Sequence, residues 1–420
     1  MSARDVSEGT DGSRPWGVQL AESLEASGRA GAVVSAAFLA VPRHLFLPQV
    51  EVGEAYRDTA IVVKSDAEGL PVSASTQPAM MAIMLEQLGL AAGQRVLEVG
   101  AGTGYNAAVM ARLVGGSGSV VTIDVEPDLV VQARVNLAAA ECHGVTVICG
   151  DGADGAPDFA PFDRIIVTAG AWDLAPQWLE QLGDGGRIVL PLSVRGIQLS
   201  VAFSRAETGT WVSGSARRCQ FIRMTGGSAG PESVVPLGPQ PGLHALVADG
   251  PAPEAGPLYE ALSGPVTKES ADLRVDGIAE LADLDLWLAL TEPGLTRVNL
   301  MGRHEGRAST AQQRIASLMP LGGYTRVGSS GELEVAALAV PPGPAEHASL
   351  AMAFNGCGAG SGALARYLAE RAAVWNALGR PGAASLKLSA YPTGTVPQAP
   401  EGAMIIRRPN VALVARWSAN

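Results

Sequence analysis

The chain is short of the residues that build metal or disulfide frameworks. It holds four cysteines, Cys142, Cys149, Cys219 and Cys357, none in CxxC spacing. Thiols this sparse and unpatterned fit a reducing cytoplasm and argue against a zinc knuckle. The five histidines are scattered, so no metal site is expected. Basic residues are outnumbered, 30 Lys+Arg against 41 Asp+Glu, for a net charge of -11. Phosphate binding needs a basic footprint, so neither a nucleic acid nor an anionic membrane is an expected partner. Long apolar runs are missing as well. The longest charge-free stretches, near 233–248 and 347–365, are broken by Pro or Gly and do not read as membrane spans. The start, Met1-Ser-Ala-Arg-Asp, is polar where a signal peptide is basic and then apolar. These absences point to a cytoplasmic protein.

What is present is core-forming material. Of the 420 residues 47% are hydrophobic and 17% charged, enough for about two to three domains. Gly (51) and Pro (28) cluster locally without a period, which excludes collagen-like order. Residues 1–14 read as a disordered leader. Apolar spacing predicts helices over Trp16–Leu24 and Gly31–Val41, the second stopped at Pro42. From 95 to 205 short apolar runs alternate with helical stretches. Strands are expected at Arg95–Val99, Val120–Asp124, Val145–Cys149, Asp163–Thr168, Arg187–Leu190 and Gln198–Phe203. Helices are expected at Tyr105–Leu113, Asp128–Ala140 and Leu174–Leu182. This alternation predicts an α/β fold with a doubly wound parallel sheet. Residues 211–224 read as a closing strand, so the first domain runs over 15–224.

Residues 225–256 are rich in Pro and Gly and read as a linker. The pattern restarts as an α+β domain over 257–420. Asp283–Leu290 (DLDLWLAL) alternates as a half-buried strand does, and Glu332–Val340 and Ser385–Tyr391 look similar. Ala363–Leu378 reads as an amphipathic helix, and Ala403–Arg407 with Asn410–Trp417 as a hairpin. Trp287, Trp375, Cys149 and Cys219 read as core, His44 as a packing residue, and Arg217-Arg218 as an exposed strand pair.

The strongest chemical signal is Leu97-Glu98-Val99-Gly100-Ala101-Gly102-Thr103-Gly104-Tyr105, a glycine turn between a strand and a helix. Glycines there allow positive φ and close approach of a ligand to the backbone. Asp124 ends the next strand, where an acid can accept both ribose hydroxyls of a nucleoside. A dinucleotide site uses G-x-G-x-x-G, with the pyrophosphate on the helix N-terminus. Here the spacing is G-x-G-x-G and the sixth position is Tyr105. Glu98 is expected to project into the crevice, where it would repel a pyrophosphate and attract the ammonium of S-adenosyl-L-methionine (SAM). The loop therefore favours SAM over NAD. Gly150-Asp151-Gly152 follows the third strand, and Asp151 is placed to reach an adenine amino group.

The chain from about 30 to 227 resembles the protein-L-isoaspartate O-methyltransferase family. The matching runs are Val41-Pro42-Arg43-His44-Leu45-Phe46-Leu47-Pro48, Ala55-Tyr56-Arg57-Asp58 and Ser75-Thr76-Gln77-Pro78. They continue with the glycine loop, Gly150-Asp151-Gly152, Ala160-Pro161-Phe162-Asp163 and Gly185-Gly186-Arg187-Ile188-Val189-Leu190-Pro191. The resemblance implies a Rossmann-like SAM-dependent fold that methylates a peptide carboxylate at damaged aspartyl residues. It implies that Ser73–Thr76 lies across SAM and the substrate carboxylate, with Ser75 and Thr76 as catalytic or substrate-positioning hydroxyls. Thr225 matches a threonine near the methionine end of SAM. Glu98, Gly100, Gly102, Gly104, Asp124, Asp151, Gly152 and Thr225 form the expected cofactor set, with no metal. Two departures, Ala79-Met80-Met81 after the loop and Trp172 where a proline is common, line the substrate side.

A carboxylate of pKa near ~4 is already ionised at pH 7 and attacks a methyl group without a general base. That fits a chain with no histidine triad or dyad. The ester then closes to a succinimide by attack of the following amide. The residues after 225 resemble the extension of actinobacterial relatives that act on ribosomally made peptides. The expected substrate is thus an aspartyl or isoaspartyl carboxylate of a peptide or protein, with tailoring of a precursor peptide favoured and the second domain docking it. General repair of isoaspartyl-damaged proteins is the alternative, and a non-catalytic SAM-binding protein a further one.

Overall fold

The computed structural model describes residues 13–67, 69–239, 243–302, 310–329, 331–340, 349–396 and 401–418. Most of the expected leader, 1–12, lies outside the described residues, but Arg14 already opens the first helix, Arg14–Ala26. The chain divides into two compact units. The first takes the residues up to Lys64, then Pro71–Thr168 and Gln177–Val189. The second takes Ser65–Leu70, Ala169–Pro176 and the chain from Leu190 onward.

The first unit is built on parallel strands. Arg95–Val99 pairs with Ser119–Asp124 on one side and with Phe162–Val167 on the other. Ser119–Asp124 pairs in turn with Val145–Cys149, and Phe162–Val167 with the first half of Leu182–Val194. The chain thus builds outward from Arg95–Val99 in one direction, then returns to build in the other. This reversal is the switch point of a doubly wound sheet, beside which such folds bind ligands. Val96, Leu97, Val99, Val120, Val121 and Ile123 are all buried, as expected for strands of a parallel sheet covered on both faces. The helix Pro78–Leu88 starts on a proline and ends at Gly89 in the left-handed region, each residue in its favoured terminal place.

The second unit carries an antiparallel run in the order Ile197–Arg205, Trp211–Cys219, Leu386–Pro392, Val411–Trp417, Met404–Arg407. The expected hairpin near the C-terminus is present. The strand expected to close the first domain, Trp211–Cys219, pairs with Ile197–Arg205 on one side and does not end the sheet, because the late strand Leu386–Pro392 pairs on its other side through Val212–Ser389 and Trp211–Ala390. A separate antiparallel sheet joins Ser233–Pro236, Leu243–Val247, Thr296–Gly302, Gly323–Val327, Leu333–Leu338, Ser349–Cys357 and Val266–Asp276.

That sheet overturns the linker reading of 225–256. Ser233–Pro236 and Leu243–Val247 are paired strands inside it, and Val235, Leu237, Leu243, Ala245 and Val247 join its core. Pro236 ends the first of these strands and Pro239 lies in the bend after it, places where a missing amide donor is tolerated. Asp283–Leu290 is likewise no strand but the centre of a helix, Ile278–Thr291. Its two-residue alternation is local. Over the full length Leu281, Leu284 and Leu288 follow the helical repeat, and the buried residues run all round the helix. Among the described residues, no helix is long and apolar enough to cross a membrane.

The second unit is organised around Asp285, which is 1% exposed. Arg297 donates to both of its oxygens, from Nη2 at 2.8 Å and from Nε at 3.2 Å. Arg218 Nη2 donates at 3.1 Å and the Tyr324 hydroxyl at 2.7 Å. Arg218 is therefore anchored, not the exposed residue expected. Burial alone would raise the Asp285 carboxyl, but Arg297 and Arg218 outweigh it and hold it below the usual carboxylate value. Removing one member of a buried ion cluster leaves uncompensated charge and costs about 3–5 kcal/mol. Asp285→Ala should destabilise the protein by about that much in urea denaturation. A loss under about 1 kcal/mol would show that the cluster is not structurally important.

Candidate functional site

The glycine loop sits at the switch point, and its three glycines adopt conformations that side chains resist. Gly100, Gly102 and Gly104 have φ of 106°, 48° and 84°. A Cβ on Gly100 would lie 2.5 Å from Thr168 Oγ1, and one on Gly104 3.3 Å from the Ala133 carbonyl. Thr168 secures the closest approach. Its amide donates to the Val99 carbonyl at 2.9 Å and its hydroxyl to the Gly100 carbonyl at 2.8 Å. Asn136, buried, donates to the Thr103 carbonyl at 3.0 Å. Sequence reading missed both, because neither residue type announces such a role.

Asp124 ends the second parallel strand as expected. One oxygen accepts from the Gly102 amide at 2.9 Å, the other from the Glu126 amide at 3.1 Å. The acid thus shapes the loop while staying half-buried, with lone pairs left for a ribose diol. Asp151 caps a short turn by accepting from the Ala153 amide at 2.9 Å. The Gly152 carbonyl accepts from the Trp178 indole at 2.8 Å. Gln181 holds the same loop through the Ala156 amide and the Asp154 carbonyl.

Glu98 departs from expectation. It is 1% exposed and does not stand in the crevice. Asn106 Nδ2 donates to one of its oxygens at 2.7 Å and the Thr122 hydroxyl to the other at 2.6 Å. A polar group buried at this depth must find partners inside the protein, and these two supply them. The electrostatic preference for an ammonium expected of Glu98 therefore loses its geometric basis, and Asp124 remains the partly exposed acid of the loop. Burial pushes the Glu98 carboxyl up to about 7, against the lowering by Thr122 and Asn106, with Asp124 adding to the rise.

Of the segment Ser73–Thr76, expected to lie across the cofactor, Ser73–Ser75 end the strand Pro71–Ser75, which pairs with Ile61–Ser65, and Thr76 opens the loop after it. Ser73 Oγ lies 3.7 Å from where a Cβ of Gly102 would stand, so this segment abuts the glycine loop. Ser75 is buried, and its hydroxyl has no hydrogen-bond partner among the described residues. Thr76 follows it, half-buried. Lys64, on the companion strand, donates to Glu126 at 2.5 Å and Asp128 at 2.7 Å, tying the hairpin to the segment after Asp124. The first unit therefore brings together Ser75, Glu98, Gly100, Gly102, Gly104, Asp124, Asp151 and Gly152, with Thr76 on the adjoining loop. Thr225 belongs to the second unit, exposed before a single 3-10 turn. Cys149, expected in the core, is exposed, while Trp287 and Trp375 are buried. Among the described residues no cluster of His, Cys, Asp or Glu is arranged to hold a metal.

A parallel sheet of this order, with a glycine loop at its switch point and an acid ending the next strand, defines the class of doubly wound, Rossmann-like folds that bind nucleotide ligands at the switch point. Residues 18–229 match the family described as protein-L-isoaspartate(D-aspartate) O-methyltransferase (PCMT), and the chain belongs to it. It is 36% identical over 198 residues to protein-L-isoaspartate O-methyltransferase of Thermotoga maritima, covering 47% of this chain and 62% of that relative. It is 42% identical over 191 residues to protein-L-isoaspartate O-methyltransferase 2 of Archaeoglobus fulgidus, covering 46% of this chain and 84% of that relative. A solved structure of a methyltransferase of this kind from Plasmodium falciparum, in complex with S-adenosyl-L-homocysteine, is 20% identical. It covers 50% of this chain and 98% of that one, with a TM-score of 0.44.

Two outcomes test the geometry. Gly100→Ala places a methyl against Thr168 at positive φ, so it should abolish binding of S-adenosyl-L-homocysteine in calorimetry; retained affinity would contradict the close approach. For Glu98 the folded-state value is raised, so its contribution to stability is full below about 4.5, falls as pH rises and is gone above about 7. Glu98→Gln should therefore flatten the fall in unfolding free energy between pH 5 and pH 8 by about 3 kcal/mol. Parallel pH profiles for the two proteins would refute the assignment.

Proposed function

We propose that the chain methylates the side-chain carboxylate of isoaspartyl or aspartyl residues in peptides or proteins, using SAM. The observation that carries the reading is the segment Ser73–Thr76. It resembles the family's acceptor segment, and it lies against Gly102 with the Ser75 hydroxyl buried and without a hydrogen-bond partner among the described residues. The glycine loop, Asp124 and Asp151 fit a nucleoside cofactor: the cradle is closed to side chains, and the acid is partly open.

When bound, SAM supplies an electrophilic methyl that forms a bond to a carboxylate oxygen as its bond to sulfur breaks, leaving S-adenosyl-L-homocysteine. The carboxylate arrives as an anion, so no side chain removes a proton. In this reading Ser75 and Thr76 donate hydrogen bonds that orient the acceptor oxygen. The glycine loop and Asp124 set the depth and angle of the nucleoside. Placement and exclusion of water then supply the rate. His44, the histidine in the matched motif, bonds the Tyr56 hydroxyl at 3.0 Å, which suits a packing role and not a base.

General repair of damaged proteins fits the named relatives. Tailoring of a ribosomal precursor peptide rests on one further observation: about 190 residues follow the matched region, which ends at 229. The two readings separate on the acceptor. A repair enzyme prefers linear isoaspartyl peptides; a tailoring enzyme prefers an ordinary aspartate in a constrained peptide.

Full-length protein incubated with SAM and an isoaspartyl peptide should add one methyl by mass and then lose methanol as the succinimide closes. A label on nitrogen or carbon, stable to base, would overturn the reading. Thr76→Ala should lower kcat by about ten-fold, the loss of one orienting hydrogen bond, with S-adenosyl-L-homocysteine affinity unchanged. Normal turnover would remove Thr76 from the mechanism.

A further inference from the structure

The matched motifs before residue 60 contain a buried cation that the chemistry above does not use. Arg43 is 0% exposed and forms no ion pair with any described residue. Its Nε donates to the Ala55 carbonyl at 2.8 Å and its Nη2 to the Thr76 carbonyl at 3.0 Å. Its Nη1 has no hydrogen-bond partner among the described residues. The guanidinium carbon lies 4.9 Å from the centroid of the Tyr105 ring. Tyr105 is the first residue of the helix that the glycine loop opens, and Phe46 and Phe38 pack on it at 5.4 Å and 6.1 Å. Burial lowers the Arg43 pKa, with Tyr105 and then Asp58 acting against it. Asp58 spends its own oxygens on the Ala79 amide at 2.8 Å and Gln77 Nε2 at 3.1 Å.

Burying a charge without a close counter-charge is unfavourable, and two carbonyl bonds do not repay it. The arrangement makes sense as a constraint. Only a planar, forked donor reaches two carbonyls at once while its face lies on an aromatic ring; an ammonium does not. One carbonyl belongs to Thr76 and the ring to Tyr105. Arg43 thus spans the two segments whose separation sets the distance from donor methyl to acceptor oxygen. Asp58 secures the same loop one turn further on.

We propose that Arg43 is a positioning residue. It locks the Ser75–Thr76 loop in register with the glycine-loop helix, so that the acceptor hydroxyls are in place before the cofactor arrives. The inference rests on the carboxylate-methyltransferase reading. A small displacement of a positioned group costs rate while leaving binding nearly intact, so Arg43 belongs to kcat.

The test compares the full-length protein with Arg43→Lys and Arg43→Gln. The expected result is kcat for an isoaspartyl peptide at least ten-fold lower, with S-adenosyl-L-homocysteine affinity and melting temperature near those of the wild type. Folded variants with kcat within two-fold of wild type overturn the proposal. So does a parallel fall of kcat and cofactor affinity, which would make Arg43 a support of the whole crevice. Should neither variant fold, hydrogen exchange on the wild type decides. Slow exchange over residues 75–79 that S-adenosyl-L-homocysteine leaves unchanged supports a preset loop. Fast exchange that slows only with the cofactor overturns it. Exchange does not depend on turnover, so a protein that binds S-adenosyl-L-homocysteine but methylates no carboxylate fails the functional reading while this test still reports whether the loop is preset.

Discussion

The contact between Gly100 and Thr168 is the constraint on which the rest of the first unit depends. Thr168 follows the strand that lies on the return side of the switch point, and its hydroxyl reaches the Gly100 carbonyl at 2.8 Å. With no room for a Cβ, the loop turns sharply enough for Gly102 to meet Asp124 and for Gly104 to open the helix. A larger residue at position 100 would push the loop outward and move each of these contacts. Asp124 then has two duties, shaping the loop through backbone amides and presenting negative charge. A side chain already held by two amides needs little reordering to meet a ligand, and this is how a site is preorganised.

The residues around this loop also explain why the early motifs run as they do. Arg43 and Asp58 secure the Thr76 loop, His44 bonds Tyr56, and Asn136 holds the Thr103 carbonyl. The run Val41–Pro48 is therefore scaffold for the Thr76 loop and the glycine-loop helix. Tyr105 is legible from the sequence only as a departure from the dinucleotide pattern. In the fold it is the ring against which Phe38, Phe46 and Arg43 pack.

Much of the first unit was readable because its signals are local and repeated. Strand and helix alternate, the glycines mark the turn, and Asp124 falls at a fixed place after it. The direction in which Glu98 points was not readable. Its neighbours in sequence are apolar or glycine, while its partners, Thr122 and Asn106, come from the next strand and from the first turn of the following helix. The second unit was harder for the same reason on a larger scale. DLDLWLAL alternates over eight residues, yet the Leu281, Leu284, Leu288 spacing decides for a helix. The Pro/Gly-rich stretch before it hides two strands that pair with each other, and the second, Leu243–Val247, also pairs with Thr296–Gly302, some fifty residues further on. Antiparallel pairing at that distance leaves no periodic trace in the segment itself.

The ion cluster at Asp285 has a consequence for how the second unit melts. Its members come from four elements, Trp211–Cys219, Ile278–Thr291, Thr296–Gly302 and Gly323–Val327. A partly assembled version leaves a guanidinium or a carboxylate stranded in apolar surroundings, which penalises every intermediate between open and complete. Such a core lets go all at once. The strands and the helix that meet there are bound into one cooperative transition, and fraying is confined to segments that do not touch them.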